Sequence, residues 1–547
     1  MSLPKPGGIF SFLDPENILA SKLTGNAIVN RVSYDLKYVS TGVVFCAWKK
    51  KQQSDVAQLV REALVLGAAA IVLEDPAVFA TLSGPLLLCR NVRKVYAQLS
   101  HGLFGFPSQA LELVGVTGTN GKTTTTSLLH QGWLHQGKAA GLLGTIAYQI
   151  GSKKVAAELT TPDAWDLNAY LSEMVEEGLT HAVMEVSSIG LDQYRTAGLQ
   201  FAATVFTNLT QDHLDYHLSM DNYAAAKKKL FLDHTTRCAV FNADDAWFPF
   251  FCDGITSQRV AYSLLSQKSL RHKEVIQRFS PLPLFSVQSW HQSPEGICAT
   301  IETPDQACPT LELKLSLWGQ HNLSNALAVL AVEWSLGRSI VKAVEALAHA
   351  RAPEGRLELV TSPHWKIEER PRVFVDYAHT PDALVRSLST LTDLKPTVAS
   401  RVYVVVGCGG DRDVLKRPDM GFAASEKSDG AIFTSDNPRS EDPQTILEDM
   451  LRGVALTRRS YVEREVNRRV AIEKALSKAA RNDVVLIAGK GHEKMQVMGD
   501  EKQPFDDVVC AREILARWQK GAPRRGGPVQ SAASDRGGES ATEVVDV

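Results

Sequence analysis

Short apolar runs that end in polar motifs recur along most of this chain, and they limit its fold more than any other feature. His181-Ala-Val-Met-Glu-Val-Ser, Phe201-Ala-Ala-Thr-Val-Phe-Thr-Asn and Cys238-Ala-Val-Phe-Asn-Ala-Asp-Asp are examples, with helical stretches between them. Continuous apolar strands alternating with helices are the pattern of largely parallel sheets covered by helices on both faces. Ligands in such sheets bind beyond the carboxyl ends of the strands, which is where these polar motifs fall.

The 547 residues suggest roughly three to four domains. Residues 1–107 read as a small α/β unit: strand-like Gly42-Val-Val-Phe-Cys-Ala, a helix from Asp55 to Leu66, then Ala70-Ile-Val-Leu. Phe106-Pro107-Ser108 marks a boundary before a strand from Leu111 to Val116. Residues 108–352 form a second unit, with additional strands and loops expected from about 255 to 315. Residues 353–520 read as a third α/β unit, with strands at Val373-Phe-Val-Asp, Val402-Tyr-Val-Val-Val, Ala431-Ile-Phe-Thr and Val484-Val-Leu-Ile-Ala. The tail at 521–547, rich in Gly, Ser, Pro and Arg, has no apolar period and reads as disordered.

Gly118-Thr-Asn-Gly-Lys-Thr-Thr124 stands between a strand and the helical Ser127-Leu-Leu-His. Glycines let backbone N–H groups close around phosphate oxygens, and the helix N-terminus adds favourable partial charge. Lys122 then reaches the terminal phosphates and Thr123 supplies a hydroxyl for Mg²⁺, with ATP as the default nucleotide. Val116 takes the place of the first glycine of the usual pattern. Glu185, at the end of a strand, suits Mg²⁺ or is a surface carboxylate. Thr207-Asn-Leu-Thr-Gln-Asp-His-Leu-Asp-Tyr-His217 is dense in potential ligands but also reads as a polar loop. From spacing alone, Lys227, Lys228 and Lys229 read as a solvated helix face.

These motifs occur in a fixed order, followed by Gly319-Gln-His-Asn-Leu-Ser-Asn-Ala, Gly355-Arg-Leu-Glu and Val375-Asp-Tyr-Ala-His-Thr-Pro. Together, over residues 110–515, the chain resembles the Mur ligases, ATP-dependent enzymes that build the peptide stem of peptidoglycan. Ser435-Asp-Asn-Pro-Arg, Gly407-Cys-Gly-Gly-Asp-Arg-Asp413 and Gly489-Lys-Gly-His-Glu493 look like the branch that adds a diamino acid. The resemblance implies a three-domain α/β fold: a small amino-terminal domain for the UDP moiety, a central P-loop ATPase with a mostly parallel sheet, and a Rossmann-like carboxy-terminal domain for the amino acid. It implies addition of meso-2,6-diaminopimelate to the D-Glu side-chain carboxylate of UDP-N-acetylmuramoyl-L-Ala-D-Glu through an acyl phosphate.

The roles it implies are specific. Lys122, Lys227 and His213 are catalytic. Thr123, Glu185, His213 and Lys227, the last as a carbamate, hold Mg²⁺. ATP is held by Gly118, Thr119, Asn120, Gly121, Lys122, Thr123 and Thr124, with Asn322, Arg356, Asp376 and His379. Thr160, Thr161, Ser187, Gln193 and Arg195 face the UDP-linked dipeptide. Arg412, Asp436, Asn437, Pro438, Arg439, Gly489 and Glu493 take diaminopimelate, whose distal carboxylate needs a cation and whose distal amine needs an acceptor.

Four features depart from the family pattern, one of them Trp48-Lys-Lys-Lys-Gln-Gln-Ser in place of a glycine-containing loop. Asp35-Leu-Lys37 stands for the usual Asp-Ser-Arg, Ile189 for a frequent His, and Leu218 for a common Gly; no uridine contact is nominated. Fifty-nine basic against 61 acidic residues argue against a nucleic-acid partner. No apolar run long enough to span a membrane is present, and scattered cysteines suggest neither disulfides nor zinc. A cytoplasmic monomer is expected. Other readings are a lysine-adding, other Mur or folylpolyglutamate-type ligase, or a degenerate nucleotide-binding interaction module.

Overall fold

Each of those apolar runs is a strand in the computed structural model, and the strands fall into three main sheets that follow one another along the chain. The structure describes residues 10–11, 13–23, 28–48, 55–266 and 277–518. The tail at 521–547 and the lysine-rich stretch at 49–54 lie outside them. Contacts divide the chain into two units: Met1–Glu358 with Val375–Leu394 and Ala488–Gln496, and Leu359–Phe374 with Lys395–Ile487 and Val497–Val547.

The first sheet has five strands in the order Ile18–Ser21, Leu86–Cys89, Ala70–Leu73, Val43–Ala47, Arg31–Ser33. Val43–Ala47, Ala70–Leu73 and Leu86–Cys89 are buried throughout, so both faces are covered. Helix Val56–Val65 covers one face and helix Val92–Leu103 the other.

The second sheet has eleven strands. Its middle runs Thr235–Asn242, Gln200–Phe206, Glu112–Thr117, His181–Glu185, Ala140–Leu143, all parallel. Antiparallel strands extend it at both ends: Gly296–Glu302 and Thr310–Leu315 on one side, Ala147–Ile150 and Lys153–Ala156 on the other. The stretch from 255 to 315 therefore supplies the additional strands expected there. Helix Lys122–His135 packs against helices Gln320–Ser335 and Ile340–His349 on one face. Trp133 is 1% exposed there, and its indole N–H donates to Glu333 Oε1 at 2.7 Å. Burying a side chain of that size stabilises the packing by about 3 kcal/mol, and the indole keeps a partner.

Register decides what this sheet can do. Glu185 lies opposite Val116, and Phe206 lies opposite Thr117. Three neighbouring strands thus end level, and the loops that leave them, from 118, 186 and 207, begin side by side.

The third sheet has six strands in the order Glu358–Leu359, Arg372–Asp376, Val484–Ala488, Val402–Val406, Gly430–Phe433, Val462–Arg464. Val402–Val406 pairs in parallel with both of its neighbours. No helix among the described residues is long and apolar enough to cross a membrane.

Candidate active site

The phosphate loop is shaped by two glycines at positive φ, Gly118 at 149° and Gly121 at 86°. A Cβ on Gly118 would fall 1.9 Å from Thr207 Oγ1, and one on Gly121 would fall 2.5 Å from Asn325 Oδ1. Neither position accepts a side chain. The loop is wired to the strand end beside it: Asn120 N donates to Asn208 Oδ1 at 2.9 Å, and Thr207 Oγ1 donates to Asn120 O at 2.6 Å. Thr119 N donates to Asn208 O at 2.8 Å. The Thr-Asn-Leu-Thr motif therefore braces the loop. Lys122 curls back, donating to Gly118 O at 2.8 Å and Thr119 O at 2.9 Å. Burial lowers its pKa, opposed by the charges of Glu185 and Asp212.

Glu185 is 1% exposed and is held by neutral donors. Thr123 Oγ1 donates to its Oε2 at 3.0 Å, Thr145 N to its Oε1 at 2.8 Å, and Thr145 Oγ1 to its Oε2 at 3.1 Å. Among the described residues no Lys or Arg pairs with it. A buried carboxylate beside a threonine hydroxyl and a phosphate loop is a hard oxygen donor set, and it fits Mg²⁺. No cluster of three or more His, Cys, Asp or Glu groups suited to a metal occurs among the described residues. Mg²⁺ here would depend on few protein ligands together with phosphate and water oxygens, as is usual for that ion.

Lys227 comes from helix Met220–Leu232 and is 1% exposed. Its amine donates to Gly118 O at 2.8 Å and lies 4.5 Å from the Tyr223 ring centroid. Burial first, and then the charge of Lys122, drive its pKa far below the usual lysine value. The two neighbouring lysines are partly exposed, in contrast to Lys227. Lys229 pairs with Asp192 at 3.0 Å, and Lys228 lies over Phe250 at 4.5 Å. His213 stands in a left-handed conformation, φ 53°, with Nε2 at 3.6 Å from Asp212 Oδ2. Partial burial lowers its pKa, against Asp212.

The residues nominated for the UDP-linked dipeptide join this network. Thr161 Oγ1 donates to Glu185 O at 3.0 Å and lies 3.1 Å from Ser187 Oγ. Thr160 Oγ1 lies 3.1 Å from Thr145 Oγ1. Arg195 donates to Thr161 O at 2.7 Å and to Gln193 Oε1 at 2.8 Å. A continuous chain of hydrogen bonds thus links Arg195 to Thr123. Thr145 was missed in the sequence, although Ala140-Gly-Leu-Leu-Gly-Thr is another apolar run ending in a small polar motif.

Of the nucleotide positions, Asn322 Nδ2 donates to Trp318 O at 2.8 Å, and Asn325 Nδ2 donates to Asn322 Oδ1 at 3.2 Å. Arg356 donates to Thr123 Oγ1 at 3.4 Å, and its Nε is buried without a protein partner. Asp376 accepts from Leu357 N at 2.9 Å and Ala378 N at 2.8 Å. Burial pushes its pKa up to about 6 against the pull of Arg356. His379 Nδ1 lies 2.9 Å from Tyr377 O. Thr124 is buried in the first helical turn.

In the second unit, Asp436 and Asn437 are 8% and 5% exposed. Asn437 Oδ1 accepts from Val497 N at 3.0 Å, and Asn437 O accepts from Gly410 N at 2.9 Å. Arg439, φ 53°, donates to Gly410 O at 2.7 Å and bridges to Met498. A Cβ on Gly409 would lie 3.0 Å from Arg439 Nη1 and 3.6 Å from Arg412 Cγ, and one on Gly410 would lie 1.9 Å from Pro438 O. The Gly-Gly pair and Asp-Asn-Pro-Arg therefore form one tight structure with the Arg439 guanidinium against it. In the first unit, Gly489 N donates to Asp376 O at 3.1 Å, and Glu493 Oε2 lies 3.5 Å from Lys490 Nζ.

Comparison with known proteins points to one family. The model of the Mur ligase middle domain matches residues 116–333, and that of the Mur ligase, glutamate ligase domain matches residues 355–491. The UDP-N-acetylmuramoyl-L-alanyl-D-glutamate–2,6-diaminopimelate ligase of Chromobacterium violaceum is 39% identical over 497 residues, 90% of this chain and 95% of its own. Its Listeria monocytogenes counterpart is 38% identical, covering 89% of this chain and 94% of its own. A solved structure of a ligase with that name superposes with a TM-score of 0.64 at 31% identity, over 89% of this chain and 95% of that one. Thermotoga maritima MurF ligase in complex with ADP shares the fold, with a TM-score of 0.54 at 17% identity, over 90% of this chain and 99% of its own. By sequence along nine-tenths of its length, the chain belongs to the Mur ligase family.

Proposed function

We propose that the chain joins meso-2,6-diaminopimelate to the side-chain carboxylate of D-Glu in UDP-N-acetylmuramoyl-L-Ala-D-Glu at the expense of ATP, a step of peptidoglycan precursor synthesis. It is an ATP-dependent carbon–nitrogen ligase. The observation that carries the reading is the meeting of Lys122, Thr123, Glu185 and Lys227 around the end of one strand, with Lys227 on the carbonyl of Gly118. The diaminopimelate ligases that align over nine-tenths of the chain support the choice of amino acid.

In the first step a carboxylate oxygen attacks the γ-phosphorus of ATP, forming an acyl phosphate and releasing ADP. The amine of diaminopimelate then adds to the acyl carbon, phosphate leaves from the tetrahedral intermediate, and the nitrogen loses a proton. Both reactants of the first step are anions, so the site must offset their repulsion. Lys122 and the loop N–H groups supply positive charge to the phosphates, and Arg356 adds a second cation beside Thr123. Mg²⁺ would neutralise phosphate charge there; Thr123 and Glu185 would hold one ion, and His213 and Lys227, as a carbamate, another. A neutral Lys227 amine can add CO₂, giving a carbamate and a proton, and so exchange a buried neutral amine for anionic oxygen donors. Thr160, Thr161, Ser187, Gln193 and Arg195 orient the dipeptide. In the second unit Arg412 and Arg439 match a distal carboxylate and Asp436 matches the distal ammonium, with Asn437 and Pro438 beside them.

Three domains, divided near residues 107 and 352, share these tasks, and the protein works as a monomer in the cytoplasm, where ATP is available. The test is phosphate release by the purified chain with ATP, Mg²⁺ and the UDP-linked dipeptide, comparing meso-diaminopimelate, L-lysine and no amino acid. Release dependent on diaminopimelate is expected. Preference for lysine would sink the amino-acid assignment and leave the ligase. No turnover with either would favour a binding module.

A further inference from the structure

The loop that carries Gly489 and Glu493 also holds His492, which none of these roles uses. Three stretches of the first unit meet there backbone to backbone. Tyr377 N donates to Gly355 O at 2.8 Å, and Gly489 N donates to Asp376 O at 3.1 Å. Gly355 and Gly491 sit at φ 65° and 53°. A Cβ on Gly355 would fall 2.1 Å from His492 N, and one on Gly491 would fall 2.6 Å from Tyr377 Cβ. No side chain fits between these stretches, so the rings they carry are fixed relative to one another.

Those rings form a row of tilted contacts that ends at the phosphate loop. The His492 and Tyr377 centroids are 5.2 Å apart with planes at 45°. The Arg356 guanidinium lies 4.8 Å from the Tyr377 centroid, and its Nη2 reaches Thr123 Oγ1 at 3.4 Å. Aromatic contacts and a cation over a ring both favour such an arrangement. Burial, reinforced by the charge of Arg356, lowers the His492 pKa to about 4, so the ring beside the guanidinium is neutral near pH 7. Arg356 Nε and His492 Nδ1 are both buried without a protein partner. An unmet guanidinium N–H next to a phosphate loop calls for an anionic oxygen.

Resting on the nucleotide reading of Arg356, we propose that His492 is a positioning residue for ATP: through Tyr377 it fixes Arg356 beside Thr123, leaving the Nε–H available to a phosphate oxygen. His492 itself touches neither the nucleotide nor the amino acid. The ring, not its hydrogen-bonding nitrogen, does the positioning.

The test is calorimetric titration of the full chain with Mg²⁺ and a nonhydrolysable ATP analogue, alongside steady-state kinetics. His492→Ala should weaken the analogue about tenfold and raise KM for ATP, with KM for the UDP-linked dipeptide unchanged. His492→Phe, which keeps a ring, should bind within about threefold of wild type. In an Arg356→Ala background, His492→Ala should add nothing, because the path runs through Arg356. Tyr377→Leu provides the same reading should His492→Ala fail to fold, with the same loss and the same lack of additivity. Unchanged binding by His492→Ala, a Phe variant no better than Ala, additive losses in the double variant, or equal losses for ATP and dipeptide would each overturn the proposal. A wild-type chain that does not bind the analogue would remove the nucleotide reading itself, whereas variants that bind like wild type would remove only the role of His492.

Discussion

Lys227 donates to a carbonyl, and no carboxylate forms an ion pair with it among the described residues. Its folded pKa is far below the value of about 10.4 expected in the unfolded chain. Between those two values the unfolded chain binds the additional proton, so this residue makes stability rise with pH across that window. Lys227→Met should therefore raise the thermal midpoint of the nucleotide-free, CO₂-depleted protein at pH 7, with the gain shrinking towards pH 10. The same variant should lose activity by about 100-fold or more, the scale seen when one electrostatic group is removed from a site. A Met variant less stable than wild type at pH 7 would contradict the downward shift. From spacing this lysine was indistinguishable from Lys228 and Lys229, because burial depends on what the helix packs against. Leu218 is a local matter that the sequence did disclose. It stands where the family often has Gly, its φ is 67°, and it is 81% exposed. An L-residue pays about 1–2 kcal/mol to sit there and recovers little by burial, so Leu218→Gly should stabilise by about 0.5–1 kcal/mol, read from the denaturation midpoint, with kcat unchanged.

At the scale of elements, the phosphate loop was legible because its constraint is local: a strand, two glycines at positive φ and a helix start. Gly118→Ala would drive a Cβ into Thr207 Oγ1 and should abolish nucleotide binding while leaving the circular dichroism spectrum intact. Pairings between distant elements were not legible. Arg468, on helix Arg468–Lys478, makes two 2.7 Å hydrogen bonds to Asp507 on helix Asp507–Ala516, and both side chains are fully buried. Neither residue was singled out, since an Arg and an Asp 39 positions apart carry no periodic signal. Removing one partner leaves a buried charge uncompensated, so Asp507→Asn should cost about 3–5 kcal/mol, whereas an apolar replacement of both should recover most of that. Arg468 also donates to Ser435 O at 3.4 Å, next to Asp436. The single variant should therefore raise KM for diaminopimelate as well, in a kinetic assay at a temperature where it is still folded.

For the whole molecule, the order of motifs told more than any motif alone, because it fixed which strand ends hold which chemistry. The strands were readable, but the eleven-strand order with antiparallel strands at both ends was not, since neighbours in that sheet are set by packing rather than by sequence distance. The two contact units now allow a prediction about function. All residues assigned to ATP lie in the first unit, while Arg412 and Asp436 to Arg439 lie in the second. Substitutions in the two sets should then act on different constants. Arg439→Lys keeps the charge but loses the planar fork that matches a carboxylate, and should raise KM for diaminopimelate about 10- to 100-fold. Its ATP dissociation constant, measured without amino acid, should stay within about twofold of wild type. Discrimination against L-lysine should fall with it, because that preference depends on a guanidinium left unpaired by the smaller substrate. An equal loss of ATP affinity would mean that Arg439 holds the fold of its loop rather than the amino acid, and the assignment of Asp436 to Arg439 would have to be given up even though the phosphate site stood.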